Sequence, residues 1–177
     1  MPLVTKADGT KFGKTESGTI WLDAGKTSPY AFYQFWLSTA DADVYKFLKY
    51  FTFLTVEAID ALAQEDAERE GRPEAQRVLA REVTRLVHGE GGLEAAERIT
   101  SAMFSGDESS LSESDLAQLS LDGLPSSVIA REAIPETLTQ LLTDAGMAAS
   151  GKQVKDALGR SAVSINGISV SAENNAD

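Results

Sequence analysis

The stretch that decides the fold is YAFYQFWLSTADADVYKFLKYFTF, residues 30–53. It carries ten of the thirteen aromatic residues of the chain. Asp41 or Asp43 can cap a helix within it. The apolar positions of that helix recur at helical spacing: Val44, Phe47, Leu48 and Phe51. Aromatic stripes of this kind are usually core, so we expect an aromatic core between packed helices. The alternative is a platform on which nucleic-acid bases stack.

Helical and acidic segments follow. Thr55 can cap one helix, and Pro73 can open another that stops at Gly89. The buried face of the second helix is expected to comprise Val78, Leu79, Val83, Leu86 and Val87. A further helix is expected over residues 93–104.

The last part of the chain has a different pattern. Pro135 can start a helix that ends before Gly146, and Ser150 with Gln153 resembles a capping box. Asn166-Gly167 is the strongest short signal for a β-hairpin, and it pairs Ile165 with Ile168 and Val163 with Val170. The whole chain is therefore predicted to be mainly α.

A compact basic stripe lies on the predicted helix that ends at Gly89. Its members are Arg77, Arg81, Arg85 and His88, which span about 80° of the helix surface. Two interpretations stay open. The stripe is either a solvated face with Glu74 and Glu82 as ion-pair partners, or a surface that contacts RNA phosphates.

The composition of the chain excludes several kinds of functional site. The chain has 177 residues with 42% hydrophobic and 24% charged types, which is ordinary for a globular protein. The absence of Cys excludes disulfides, thiolate zinc sites and cysteine catalysis, and a single His excludes a histidine metal cage. The net charge of −11 argues against coating of nucleic acid by bulk charge. The sequence contains neither a membrane-spanning apolar run nor a signal peptide, so a cytoplasmic location is expected.

The segment most suggestive of chemistry is Lys11-Phe12-Gly13-Lys14-Thr15. Its last three residues match the end of a phosphate-binding P-loop, but Asp8 occupies the position where that motif needs glycine. A P-loop lysine also opens a helix, whereas a strand is predicted after Gly18. A surface loop without function is the default for an isolated pair of lysines at this spacing.

A resemblance changes that default. Residues 11–15 resemble the KMSKS loop, the second signature of class I aminoacyl-tRNA synthetases, in the form found in bacterial tyrosyl-tRNA synthetases. The similarity extends to residues 2–10, 26–44, 79–89 and 150–167, in the order of that family. It implies that Lys11 and Lys14 contact the phosphates of ATP and that Thr15 supplies a hydroxyl.

The same resemblance implies an activity and partners. The family activates tyrosine with ATP and transfers it to tRNA(Tyr), and Mg²⁺ is expected through the phosphates, with no further metal site. The full-length enzyme is expected to be a homodimer. The residues expected to contact RNA are Arg77, Arg81, Arg85, His88, Lys152, Lys155 and Arg160.

The resemblance also implies a domain organisation. Residues 1–29 are expected to be the end of a catalytic domain, a short β and loop segment that carries the KMSKS-like loop. Residues 30–119 are expected to form a helical anticodon-binding domain and residues 120–134 a linker. Residues 135–177 are expected to form an incomplete α+β RNA-binding module of the S-four type.

Two family features are expected upstream of the loop: a first signature of the His-x-Gly-His type and the tyrosine pocket. The single histidine, His88, follows the loop instead. We therefore expect a fragment that is inactive in isolation. The alternative function is that of a non-catalytic RNA-binding fragment.

Overall fold

The computed structural model of the chain describes residues 4–10, 14–15, 18–165 and 167–171. The strands are β1 (Lys14–Thr15), β2 (Gly18–Thr19), β3 (Val163–Ile165) and β4 (Ile168–Val170). The α-helices are α1 (Pro29–Leu37), α2 (Asp41–Phe51), α3 (Val56–Glu68), α4 (Ala75–Ser105), α5 (Glu113–Leu121), α6 (Leu138–Asp144) and α7 (Gly151–Gly159). Short 3-10 turns occupy Glu108–Ser110 and Arg131–Ala133. The prediction of a mainly α chain with small β elements is confirmed. No helix within these ranges is both long enough and apolar enough to cross a membrane.

The chain divides into two compact units. The first comprises residues 1–100 and 113–122, and the second comprises residues 101–112 and 123–177.

The core of the first unit is aromatic, as predicted. Phe32, Trp36 and Phe47 are buried, and their rings meet edge to face with centroids 6.1 and 6.3 Å apart. Such pairs add to the stabilisation from burial itself. Two aromatic side chains of the same stretch, Tyr50 and Phe53, are exposed.

Helix α4 is interrupted at Gly89, whose φ of 72° lies in the left-handed region that favours glycine. The predicted stop at Gly89 is therefore confirmed, as is the helix that follows it. Leu79 and Val83 are buried before the kink, and Leu93 is buried after it. Leu86 was expected in the buried face but is 55% exposed, so that assignment is wrong.

Only some of the predicted capping residues are found at the starts of the helices. Thr55 caps α3 as predicted, since its side chain accepts the Ala58 N–H. Neither Asp41 nor Asp43 caps α2; the residue at that position is Ala40, and both aspartates lie in the first turn. Pro73 was predicted to open the next helix near its first position, and it stands two residues ahead of α4.

The start of α4 is held by a side chain from another helix. Asp66 of α3 accepts the N–H groups of Glu74 and Ala75 at 2.7 and 3.0 Å and the Tyr45 hydroxyl at 2.9 Å. The first N–H groups of a helix have no partner within it, so a carboxylate there satisfies them and complements the helix dipole.

The second unit contains α6, α7 and the β3–β4 hairpin. Helices α6 and α7 contact each other, and Val154 and Leu158 of α7 are buried. Helix α6 begins at Leu138, three residues after the predicted start at Pro135, and Thr137 caps it. The hairpin has the predicted register: Val163 pairs with Val170, and Ile165 pairs with Ile168.

The turn of the hairpin needs glycine for two reasons. Gly167 has a φ of 77°, and a Cβ there would overlap the carbonyl oxygen of Gly106. Ile165 and Ile168, the pair nearest the turn, are 45% and 73% exposed, so the apolar face of the hairpin is only partly covered.

Candidate functional site

The KMSKS-like loop lies at the edge of the described structure. Lys11, Phe12 and Gly13 fall outside the described residues, and of Lys14 and Thr15 only the backbone is described. Those two residues form β1, which pairs with β2 in antiparallel register, Lys14 with Thr19 and Thr15 with Gly18. The strand predicted after Gly18 is therefore only two residues long and includes Gly18 itself.

The segment before the loop is a tight turn, residues 5–10. The Lys6 N–H donates to the Thr10 carbonyl at 2.9 Å, and the Gly9 N–H donates to the Lys6 carbonyl at 3.0 Å. Asp8 Oδ1 accepts both the N–H and the hydroxyl of Thr10, at 2.8 and 2.6 Å. These hydrogen bonds lower the pKa of Asp8, so its carboxylate is ionised at neutral pH. The turn therefore has a defined shape immediately ahead of Lys11.

Two side chains of α2 hold this turn. Asp43 Oδ2 accepts the Ala7 N–H at 2.9 Å, and Asp43 Oδ1 lies 2.7 Å from Lys46 Nζ. The Lys46 ammonium also donates to the Thr5 carbonyl at 2.9 Å. Asp43 is only 2% exposed. Asp43 was predicted, as an alternative to Asp41, to be a helix cap, and no role was predicted for Lys46. An acidic residue three positions before a lysine is ordinary on a helix surface, so the pattern carried no signal of the tertiary contact.

The segment that follows β2 is also held in place. Thr27 is buried, and its hydroxyl accepts the Trp21 N–H at 3.0 Å. Lys26 Nζ lies 4.4 Å above the Trp21 ring, within cation–π range. Ser28 caps α1 and contacts Asp122 at the end of α5 through both its N–H and its hydroxyl. The β1–β2 hairpin is therefore flanked on each side by a segment with defined contacts.

The arginines of the basic stripe all have acidic partners. Arg81 Nη1 lies 2.7 Å from Glu97, and Arg85 contacts both Glu82 and Glu90, at 2.6 and 2.8 Å. Arg77 is the most exposed of the three, and its distance to Glu74 is 3.5 Å. The solvated-face interpretation predicted Glu74 and Glu82 as partners, and the structure has both pairs. Glu97 and Glu90 were not expected.

His88 differs from the arginines of the stripe. Its ring stands edge-on to Phe32 with centroids 4.8 Å apart, and Nε2 is buried without a hydrogen-bond partner among the described residues. Burial lowers the pKa of His88, so the ring is neutral at pH 7.

The remaining candidate RNA contacts lie in the second unit. Lys152 and Lys155 are exposed on α7, and Arg160, also exposed, follows its last residue. The Arg160 Nε donates to the Asp156 carbonyl at 3.2 Å. Within the described ranges, no three His, Asp or Glu side chains come together in a way that could hold a metal ion.

Comparison with known proteins places the chain in a family. The model of the family "tRNA synthetases class I (W and Y)" matches residues 1–105. A protein of Aliivibrio fischeri named tyrosine–tRNA ligase is 66% identical over 94% of this chain and 39% of its own length. One of the same name from Chromobacterium violaceum is 59% identical over 96% of this chain and 40% of its own length.

A solved structure also matches part of the chain. It is a C-terminally truncated mitochondrial tyrosyl-tRNA synthetase from Coccidioides posadasii, 41% identical, with a TM-score of 0.46 over 54% of this chain and 24% of that one. The chain spans about 40% of the length of the curated relatives named above. Since the family model covers more than half of its residues, the chain belongs to the class I tRNA synthetases of the W and Y group.

Proposed function

We propose that this chain supplies the KMSKS-like loop and the tRNA-binding helical part of a tyrosine–tRNA ligase, which activates tyrosine with ATP and transfers it to tRNA(Tyr). The observation that carries the proposal is the 66% identity to a relative of that name over 94% of the chain. The contacts that anchor residues 5–10 and 21–28 support it, because a loop that acts on a substrate must be delivered from a fixed base.

The proposed chemistry follows from the residue types in the loop. Formation of tyrosyl-adenylate expels pyrophosphate, and negative charge builds on the leaving oxygens. Lys11 and Lys14 bring ammonium groups to those oxygens, and Thr15 adds a hydroxyl donor. Donors that meet the charge mainly in the transition state lower the barrier, whereas equal binding of the ground state would not. Mg²⁺ is a hard cation that prefers oxygen ligands, so it would arrive bound to the phosphates of ATP.

Contact with tRNA is proposed for the basic stripe and for the exposed cations of α7. The stripe residues contribute unequally. Arg77 is the most available because its pairing is the longest, whereas Arg85 is neutralised by two carboxylates. His88 is neutral and contributes no positive charge. Lys152, Lys155 and Arg160 are exposed and complete the proposed set. The full-length protein is proposed to be a cytoplasmic homodimer.

The decisive measurement is tyrosine-dependent exchange of pyrophosphate into ATP. It is applied to the 177-residue chain and to a chimera in which the chain replaces the matched 167 residues of the Aliivibrio fischeri relative. We expect exchange by the chimera and none by the chain alone, because positioning of ATP and tyrosine supplies much of the acceleration. A chimera that folds and shows no exchange would contradict the proposal.

A second function is favoured by one observation, that Lys152, Lys155 and Arg160 are exposed cations that can meet RNA phosphates without the KMSKS-like loop. In this alternative the chain is a non-catalytic RNA-binding fragment. Binding of tRNA(Tyr) by the 177-residue chain, together with an inactive chimera, would support the alternative over the ligase.

A further inference from the structure

The hydrogen bonds within residues 5–10 fix the shape of the turn but not its place in the molecule. Its place depends on contacts with the helices beneath it. A half-open pocket of about 300 Å³ lies beside the turn, against α1 and α2, and its lining includes Lys6, Asp8, Phe35, Asp43 and Phe47. Incomplete packing forfeits part of the van der Waals attraction that would otherwise hold the turn. The polar contacts from α2 therefore contribute more to holding the turn in its position.

Those contacts form a two-point clamp. Asp43 holds the N–H of Ala7, and Lys46 holds the carbonyl of Thr5, while the two side chains are joined to each other. The two attachment points are two residues apart on the turn, so they fix both its position and its direction. Lys11 follows Ala7 by four residues, and consecutive Cα atoms are only about 3.8 Å apart. A shift of the turn is therefore passed to the start of the loop.

Electrostatics strengthens the clamp. Burial raises the pKa of Asp43, but the Lys46 ammonium and the hydrogen bond from the Ala7 N–H outweigh it and leave the pKa below its usual value. Asp43 is thus ionised at neutral pH: its contact with the Ala7 N–H is a charge-assisted hydrogen bond, and its contact with Lys46 is an ion pair at 2.7 Å. Such bonds are shorter and about twice as strong as neutral ones. An ionised carboxylate at 2% exposure is costly unless it is paired.

We propose that Asp43 and Lys46 are positioning residues for the KMSKS-like loop, which hold the Thr5–Thr10 turn so that Lys11 and Lys14 are delivered to the phosphates of ATP. The inference rests on the proposed function of the loop. Neither residue touches the substrate in this account; each acts through the backbone of the turn.

The first test uses amide hydrogen exchange in the 177-residue chain, read at Ala7. In Asp43→Asn the amide oxygen can still accept from Ala7, but the charge and the ion pair to Lys46 are lost. We expect exchange at Ala7 to accelerate by roughly tenfold or more. Asp60→Asn is the matched control, because Asp60 also pairs with a lysine of α2, Lys49, at 3.0 Å but is exposed. Equal exchange at Ala7 in both variants would overturn the inference.

The second test separates positioning from general stability. In the chimera, Asp43→Asn should lower kcat for pyrophosphate exchange by about tenfold to a hundredfold with an unchanged KM for tyrosine, since a displacement near 1 Å can cost that much. Lys46→Gln should act in the same direction, and Lys46→Arg should restore part of the rate because a guanidinium can make both contacts. If Asp43→Asn does not fold, the Lys46 variants test the inference. They are expected to fold because the Lys46 side chain is 35% exposed.

The outcomes distinguish the two proposals. An inactive unsubstituted chimera contradicts the proposed function. An active chimera whose kcat is unaffected by Asp43→Asn and by Lys46→Gln contradicts the clamp alone.

Discussion

Arg81 and Glu97 form an ion pair across the kink at Gly89, with Nη1 2.7 Å from the carboxylate oxygen. The pair joins the two helical segments of α4, and both side chains are about a third exposed, at 35% and 30%. The ion pair therefore helps to set the angle between these two helical segments. It also means that Arg81, the middle arginine of the basic stripe, already has an acidic partner. A phosphate that approached Arg81 would compete with this carboxylate, which makes Arg77, whose pairing with Glu74 is longer, the better candidate for contact.

The salt dependence of tRNA binding tests that ranking. Arg77→Gln should reduce the slope of log K against log salt by about 0.7–0.9 if Arg77 contacts one phosphate. Arg85→Gln should reduce it less, because Glu82 and Glu90 already balance the Arg85 charge. The measurement is the affinity of the 177-residue chain for tRNA(Tyr) over a series of salt concentrations. Unchanged slopes in both variants would favour the solvated-face interpretation.

The candidate catalytic lysine is tested in the chimera. Lys14→Ala should lower the rate of adenylate formation by about a hundredfold, equivalent to roughly 3 kcal/mol, because one charged transition-state donor is lost. The KM for tyrosine should not change. Lys49→Ala is a control, since Lys49 is an exposed lysine paired only with Asp60 among the contacts described for it. A normal rate with a raised KM for tyrosine would reverse the assignment.

The pair between Arg98 and Asp115 should matter for stability. Arg98 donates two hydrogen bonds to Asp115, at 2.9 and 2.8 Å, and Asp115 is completely buried. Arg98→Met removes this partner from a buried carboxylate, which costs about 3–5 kcal/mol in fully buried pairs. Since Arg98 is 43% exposed, we expect about 2 kcal/mol in urea unfolding. Lys49→Met, which breaks an exposed pair, should cost less than about 1 kcal/mol.

Acid stability should depend on Asp66. Burial raises the pKa of this carboxyl, but hydrogen bonds from Glu74, Tyr45 and Ala75 outweigh burial and hold it below its usual value. A carboxyl whose pKa is lower in the folded state stabilises the protein above its unfolded pKa of about 3.9, and this contribution is lost as the pH falls through the folded pKa. Asp66→Asn should therefore be less stable at neutral pH and lose less further stability on acidification. Parallel curves of unfolding free energy against pH for the two proteins would contradict this.

The hairpin of the second unit offers a matched pair of glycine substitutions. Gly167→Ala should destabilise the hairpin, because φ is positive and the new Cβ would overlap the Gly106 carbonyl. Gly159→Ala should be neutral or slightly stabilising, because its φ is not positive and the space around it is open. The readout is amide exchange at Ser164 and Ser169. Equal protection in the two variants would show that the hairpin tolerates a side chain at its turn.

The sequence determined the features that depend on neighbouring residues. Thr55 caps α3, Gly89 interrupts α4, and the register of the β3–β4 hairpin follows from Asn166-Gly167, because each rests on backbone preferences or spacing within a few residues. The aromatic core over residues 30–53 was also readable, since helical periodicity marks a buried face. The resemblance of residues 11–15, together with the similarity of residues 2–10, 26–44, 79–89 and 150–167, identified the family from the sequence alone.

Tertiary structure decided which polar groups meet. Asp43 is in the right place to help cap α2, yet it holds the N–H of Ala7, 36 residues away. Ser28 and Asp122 meet across 94 residues, and Leu86 is exposed although its helical spacing predicted burial. Periodicity gives the direction of a side chain on its own helix but not the partner that the fold brings to it. A buried carboxylate is stable only where such partners surround it, so the role of Asp43 became visible only once the backbone of the turn had been placed beside α2.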